Sequence, residues 1–468
     1  MPTHNGTKNL LYERIVMRNI FSGADTAPCL AIDIGASGGR HIAGWYENGT
    51  LRTEEIYRFA NGTTEEKGHL VWNVAALLDQ VLEGIRLSFA RFGALSSLAI
   101  DTWGVDYMLL DKDGKELPPL YAYRDARTNA VIPSVHEILP FSELYRRTGI
   151  QFQPFNTIYQ LVCDRDSGRL AKAEHFLMLP EYLSYKLTGV MKKEYTNATT
   201  TGLIHAADGT FDKEILQALS LPEKLFPALS QPGTEVGLLL PSIAERVGGQ
   251  TRVLLCASHD TGAAVEGIEL AEDSLYLSSG TWSLLGAKIA QANCSEKSRL
   301  TNFTNEGGVG YIRYQKNIMG LWTVQSLKKE LCPDKDFAAI AEEAAASSFS
   351  GIADINAPAF LSPPCMKEAF DAAFSETAAR PLKPCDYFRC AFRSLAENYR
   401  VTIAELESNL GRSFSTLTIV GGGAKNRFLN ALTEEVCQKK VVALPIEATA
   451  LGNLKAQWIA LQGAPSRN

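Results

Sequence analysis

The pattern of apolar runs broken by turns, as in a globular protein, starts only near Cys29. Residues 29–46 (CLAIDIGASGGRHIAGWY) run apolar, break at a Gly-rich turn and run apolar again, which predicts two strands joined tightly. Another strand is expected near 51–59. The period then changes: Val74, Leu77, Leu78, Val81, Leu82, Ile85 and Phe89 recur at helical spacing within 72–92. Residues 95–111 (LSSLAIDTWGVDYMLLD) predict a strand pair bent at Trp103-Gly104, closed by a turn at Asp113-Gly114. A short buried strand is expected over 252–257, running into Ser258-His259-Asp260-Thr261.

The second half opens on LYLSSGTWSLLGAKI (275–289), which repeats the strand–Gly–strand frame of residues 30–44 and puts Gly280 where Gly35 stands. A third Gly turn, Gly421-Gly422-Gly423, ends another strand and precedes a helix over 426–439. Helices are also expected over 388–410 and 448–462, and an irregular surface excursion over 344–365. The repeated frame predicts two similar α/β domains facing a shared cleft. Residues 1–28 read as a tail, 29–270 as the first domain and 271–468 as the second, with the last helix packing back on the first.

At 468 residues the chain is too long for one core, and 46% apolar with 21% charged residues is a globular composition. A net charge of −6 without a Lys/Arg run argues against a nucleic-acid partner. No stretch of about 18 apolar residues offers a membrane span. Nine scattered Cys without a C-x-x-C predict reduced thiols in a cytoplasmic protein rather than a zinc site or a disulfide framework. Monomer and dimer both stay open.

The turns carry the chemistry. Asp33-Ile34-Gly35-Ala36-Ser37-Gly38-Gly39-Arg40 exposes consecutive N–H groups, which cradle anions. It lacks the Gly-Lys-Ser/Thr of a P-loop, and a strand rather than a helix follows it. Asp33, at a strand end, suits Mg²⁺ held directly or through water. Ser278–Ser283 suits a γ-phosphate, and the glycines of 421–426, with Asn426, let a flat adenine or ribose approach the backbone. Asp260 can take the proton of an attacking hydroxyl, and it can equally cap a helix. Asp101-Thr102-Trp103-Gly104-Val105-Asp106 sets an indole among carboxylates, as sugars require, or simply contributes a core Trp.

Together these segments resemble the FGGY carbohydrate kinases of the actin-like ATPase superfamily. The likeness is carried in family order by DIGASGGR (33–40), IDTWGVDYMLLD (100–111), YRDARTN (123–129), GIQFQPFNTIYQL (149–161), EYTNATTTGL (194–203), ASHDTGAAV (257–265), YLSSGTWSLLG (276–286), NEGGVGYIRYQKNIMGLWTVQ (305–325), IVGGGAKN (419–426) and EATALGN (447–453). It implies an α/β fold of two actin-like (ribonuclease H-like) ATPase domains flanking a deep catalytic cleft. It also implies ATP and Mg²⁺ as cofactors, and transfer of the γ-phosphate to a small ketose. Within the family the likeness is greatest to members that phosphorylate L-rhamnulose on its 1-hydroxyl, with L-fuculose and D-xylulose as alternatives. An actin-like ATPase serving as a conformational module, with no acceptor, is the other reading.

By resemblance Asp260 is the general base, and Gly104, His259, Thr261 and Asn317 contact the sugar, with Trp103 and Asp106 beside them. Ala36, Ser37, Gly38, Gly39 and Arg40 form the first phosphate loop. Thr281, Gln325, Gly422, Gly423 and Asn426 bind the rest of ATP, and Asp33 the metal. The chain departs from the family at Gly38, where a Ser is expected.

Overall fold

A computed structural model describes residues 27–361, 363–375, 380–444 and 447–463. The expected tail lies outside them up to residue 26. Six strands build a first sheet: β1 (Cys29–Gly35), β2 (Gly38–Glu47), β3 (Thr50–Ala60), β4 (Ser97–Thr102), β5 (Glu235–Leu238) and β6 (Arg252–Leu254). Their order is β5-β6-β4-β1-β2-β3. Six more build a second sheet: β7 (Ser274–Ser279), β8 (Trp282–Ile289), β9 (Thr304–Gly307), β10 (Ile312–Met319), β11 (Thr416–Val420) and β12 (Lys440–Ala443). Their order is β9-β10-β8-β7-β11-β12.

One pattern occurs in both. β2 runs antiparallel to β1 and β3, while β4 and then β6 continue in parallel from β1. β8 runs antiparallel to β7 and β10, while β11 and then β12 continue in parallel from β7. β3-β2-β1-β4-β6 thus matches β10-β8-β7-β11-β12, and Gly35 and Gly280 sit in equivalent hairpins. The fold is α/β with two sheet-containing halves. The repeat visible in the sequence is a repeat of topology.

Helices cover the sheets where their apolar stripes dictate. α1 (Val74–Phe92) starts at Asn73, whose side chain accepts the Ala76 N–H at 3.0 Å, and buries Leu77, Val81, Leu82, Ile85 and Phe89. α2 (Asp260–Glu266) follows β6. α3 (Pro384–Leu410) runs through the second core, burying Phe388, Phe392, Leu395 and Tyr399. α4 (Arg427–Cys437) follows the triple glycine. α5 (Ala448–Gly463) leaves the second sheet and packs on the first. There Ala450, Leu454 and Trp458 meet Cys29, Ala31 and Ile42. Gln457 accepts from Ser97 Oγ (2.7 Å) and donates to the Leu30 carbonyl (3.0 Å).

Three expectations are corrected. Strands 97–102 and 107–110 do not pair with each other; 107–110 pairs with 175–178, because the chain turns out of the sheet at Trp103-Gly104. The strand expected over 252–257 ends at Leu254, and the chain beyond it reaches β4 only through a bridge between Thr102 and His259. The 344–365 stretch is not a surface excursion: Ala353, Ile355 and Phe360 are buried in the second core, and the Ala353 N–H donates to Ser394 Oγ of α3 at 2.9 Å. These three residues reach the core from a stretch whose only regular pieces among the described residues are the end of a helix at 344–346 and a single 3-10 turn at Pro358–Phe360. The nine cysteines, all within the described residues, are free thiols. No helix among the described residues is long and apolar enough to cross a membrane.

α2 and α5 touch backbone to backbone through two glycines. A β-carbon on Gly267 would stand 1.9 Å from the Ala448 carbonyl, and one on Gly452 would stand 1.9 Å from the Ala263 carbonyl. Gly452→Ala is expected to cost about 1–3 kcal/mol, read as a lowered urea midpoint at unchanged slope.

Candidate active site

The parallel pairing of β1 with β4 sets Asp33 level with Asp101 at the carboxyl ends of both strands, where open α/β sheets bind ligands. The bridge from Thr102 to His259 brings Asp260 to the same edge. Asp260 is the first residue of α2, and its Oδ1 accepts the Thr261 N–H at 2.6 Å. The cap position itself is His259, whose side chain makes no capping bond. The Asp260 side chain remains 27% exposed, open to a substrate. Burial raises its pKa to about 6; His259 opposes the rise and the charge of Asp33 adds to it.

Asp101 is raised well above the usual carboxylate range by burial and by Asp33. One of its oxygens takes Asn453 Nδ2 of α5 at 2.6 Å, while the other, Oδ1, is buried without a hydrogen-bond donor. Asp33 is also raised by burial, against the pull of Arg40, whose guanidinium lies 2.7 Å away and reaches Glu447 as well. An orphaned oxygen among mutually repelling buried carboxylates fits a hard divalent cation. Among the described residues no three such groups form a ready-made metal cage. A cation there would therefore draw most of its ligands from phosphate and water, as Mg²⁺ does.

The first phosphate turn is shaped by sterics. A β-carbon on Gly38 would lie 2.7 Å from the Phe59 carbonyl of β3. The residue that departs from the family is therefore one this backbone requires. In the second half, Thr281 Oγ1 donates to Gln325 Oε1 at 3.4 Å, so those two expected nucleotide contacts adjoin. The triple glycine packs on the same hairpin: a β-carbon on Gly423 would fall 2.0 Å from Ser279 Oγ, whereas Gly422 faces open space. Asn426 caps α4, accepting the Leu429 N–H at 3.0 Å, so its carbonyl oxygen is already engaged.

The sugar-type segment divides into contact and scaffold. Asp106 is fully buried, and its Oδ2 accepts Trp72 Nε1 (2.7 Å), Trp103 Nε1 (2.8 Å) and the Tyr123 N–H (3.2 Å). Its Oδ1 accepts Gln160 Nε2 at 3.2 Å. Burial lifts its pKa to about 6 despite these donors. With its oxygens occupied, Asp106 holds the indoles of Trp72 and Trp103, tilted 39° to each other with centroids 4.2 Å apart, rather than facing the cleft. Gly104 faces the Thr200 side chain, 3.1 Å from where a β-carbon would stand. Val105 takes φ 68°, an expensive conformation for a β-branched residue and one that collects at binding sites. Asn317, on β10, has a buried Oδ1 without a partner, an acceptor left for a ligand hydroxyl.

Sequence reasoning missed the tie between the halves. His259 Nδ1 lies 3.1 Å from Glu306 Oε2 on β9, and Arg313 Nη2 of β10 lies 3.1 Å from the same oxygen. Arg313 Nη1 donates to Thr261 Oγ1 at 3.2 Å. Burial opposes the charge of Glu306, but Arg313 and His259 outweigh it and bring the carboxyl down to about 2. Two opposite charges, Glu306 and Arg313, on neighbouring strands were the available signal.

Two family models cover the chain. The N-terminal domain of the FGGY family of carbohydrate kinases matches residues 29–267, and its C-terminal domain matches 275–461. A rhamnulokinase of Halalkalibacterium halodurans is 42% identical over 92% of this chain and 93% of its own. One from Bacillus subtilis is 39% identical over 92% and 90%. Among solved structures, a ligand-bound xylulose kinase from Lactobacillus acidophilus superposes with a TM-score of 0.76 over 93% of this chain and 90% of that one, at 15% identity. Plasmodium falciparum glycerol kinase with ADP gives 0.73 over 94% and 90%, at 13% identity.

Two outcomes are expected here. Asn317→Ala should raise the KM for the sugar roughly tenfold and leave the KM for ATP unchanged, in steady-state assays varying each substrate. If Asp260 must be ionised to act, kcat/KM should fall about tenfold per pH unit below about pH 6, in a pH profile of initial rates.

Proposed function

The chain is a member of the FGGY family of carbohydrate kinases, and from that premise we propose that it transfers the γ-phosphate of ATP to the 1-hydroxyl of L-rhamnulose. The products are L-rhamnulose 1-phosphate and ADP. The observation that carries the reaction type is Asp260: a carboxylate open to the cleft, beside the phosphate turn, with its pKa lifted into the range of a general base. The choice of ketose is carried by relatives about 40% identical over most of the chain, all named rhamnulokinase.

Asp260 takes the hydroxyl proton as the sugar oxygen attacks phosphorus. The O–P bond forms while the bond to the ADP oxygen breaks, and the rest of catalysis is positioning and charge stabilisation. The turns at 35–40 and 278–283 supply N–H groups to the phosphates, and Gly422 leaves room for the nucleoside. Asp33 and Asp101 would hold Mg²⁺, which when bound neutralises phosphate charge. On this reading Arg40, at the end of the first phosphate turn and paired with Asp33, supplies positive charge beside the phosphates. His259, Thr261, Gly104 and Asn317 hold the sugar. Trp103 and Asp106 shape its pocket from behind. The reading divides the chain near residue 270, with sugar mainly on the first half and ATP mainly on the second. It places the enzyme in the cytoplasm, where ATP and phosphorylated sugars are kept.

Two measurements test it. Asp260→Asn should keep ATP binding and lose roughly 10²–10⁴-fold in rate; wild-type turnover would remove the base. In a coupled ADP-release assay over L-rhamnulose, L-fuculose and D-xylulose, kcat/KM should be at least about tenfold higher for L-rhamnulose. Equal or faster turnover of either other sugar would overturn the substrate, and fast ATP hydrolysis indifferent to all three would overturn the kinase.

A further inference from the structure

Glu194 has no place in the chemistry described so far, yet it is completely buried. Five donors surround its carboxylate. The Thr196 N–H (2.6 Å), Thr196 Oγ1 (2.7 Å) and Asn197 N–H (3.0 Å) come from its own short helix. The other two are the N–H (3.2 Å) and Oγ (2.6 Å) of Ser258, on a segment far away in sequence. A fold that wanted only to cap a one-turn helix would not bury a full charge to do it, because desolvation costs several kcal/mol.

Ser258 lies two residues before Asp260, and every polar group it has is engaged. Its carbonyl accepts the Thr102 N–H at 3.0 Å and Asn197 Nδ2 at 3.2 Å. Both peptide planes that flank Ser258 are thereby held, the earlier by Glu194 and the later by Thr102 of β4 together with Asn197. β6 has already ended at Leu254, so the sheet ladder on that side no longer directs this segment and the contact with Thr102 of β4 takes its place. The same turn extends its hold outward. Thr200 Oγ1 accepts the Val105 N–H at 3.2 Å, beside Gly104. Thr199 Oγ1 accepts the Gly307 N–H at 2.9 Å, beside Glu306. Behind it, the Glu194 N–H donates to the buried Glu181 at 2.7 Å, and Lys193, also buried, supplies the neighbouring positive charge.

We propose that Glu194 is a positioning residue for phosphoryl transfer, acting through Ser258 to fix the approach of Asp260 to the acceptor hydroxyl. The inference rests on Asp260 being the base. Rates at such a site fall about 10²-fold for a misplacement near 1 Å, without loss of substrate binding. Glu194→Gln and Ser258→Ala are therefore expected to lower kcat by about 10²-fold and by about tenfold, with the KM for ketose and for ATP each within about twofold of wild type. Because both act through one contact, the double variant should be no slower than Glu194→Gln alone.

The measurements are steady-state kinetics on the full-length variants, with folding checked by circular dichroism. Unchanged kcat in a folded single variant overturns the inference. So does a loss expressed in either KM, or losses that multiply in the double variant. Should Glu194→Gln not fold, Ser258→Ala decides by the same criteria. Asp260→Asn at wild-type rate would remove the premise, whereas an inactive Asp260→Asn beside a fully active Ser258→Ala removes this inference alone.

Discussion

Three carboxylates feel one another's charge at the carboxyl edge of the first sheet, and much of the molecule exists to make that tolerable. Burial pushes up Asp33, Asp101 and Asp260 alike; the charge of Asp33 raises the other two further, while Arg40 draws Asp33 itself back down. In water such a group would disperse. Here strand register fixes Asp33 beside Asp101, and the Thr102–His259 bridge adds Asp260. Compensation comes from scattered places: Arg40 from the adjoining strand, Asn453 from the last helix, His259 from the next residue. What stays uncompensated, the orphaned oxygen of Asp101, is what a phosphate-bound cation would satisfy.

The second half repeats the first in topology but not in charge. Its hairpin after β7 carries Ser278, Ser279 and Thr281 where the first carries Asp33 and Arg40. One scaffold therefore offers a carboxylate-bearing face and a hydroxyl- and glycine-bearing face. Phosphoryl transfer needs both: a base and metal on the acceptor side, and a neutral, closely fitting cradle on the donor side. The halves meet at the catalytic segment itself, through Glu306 and Arg313 against His259 and Thr261. The segment that carries Asp260 is thus held from both sheets.

Much of this was legible in the chain. Turns and helices declare themselves within a few residues, so the three glycine turns, α1 and the position of Asp260 could be read locally. What failed to show depends on which distant segments meet. The role of Asp106 changes once Trp72 arrives from another strand to share its oxygen with Trp103. Gly38 reads as a lost hydroxyl until the Phe59 carbonyl is seen in the space a side chain would need. Glu194 and Ser258 are 64 residues apart, and nothing local to either announces the other. The 344–365 stretch misled for the opposite reason: it lacks periodicity and leaves Ile352 and Leu361 exposed, yet Ala353, Ile355 and Phe360 are core.

α5 belongs in sequence to the second half and in space to the first. Asn453 and Gln457 fill polar positions within the first sheet's own cover, and Leu454 and Trp458 seal one of its apolar faces. The half that is synthesised first consequently cannot finish folding until the chain has been made through α5. Its nascent form must wait with part of that surface bare, a period during which a chaperone has something to hold.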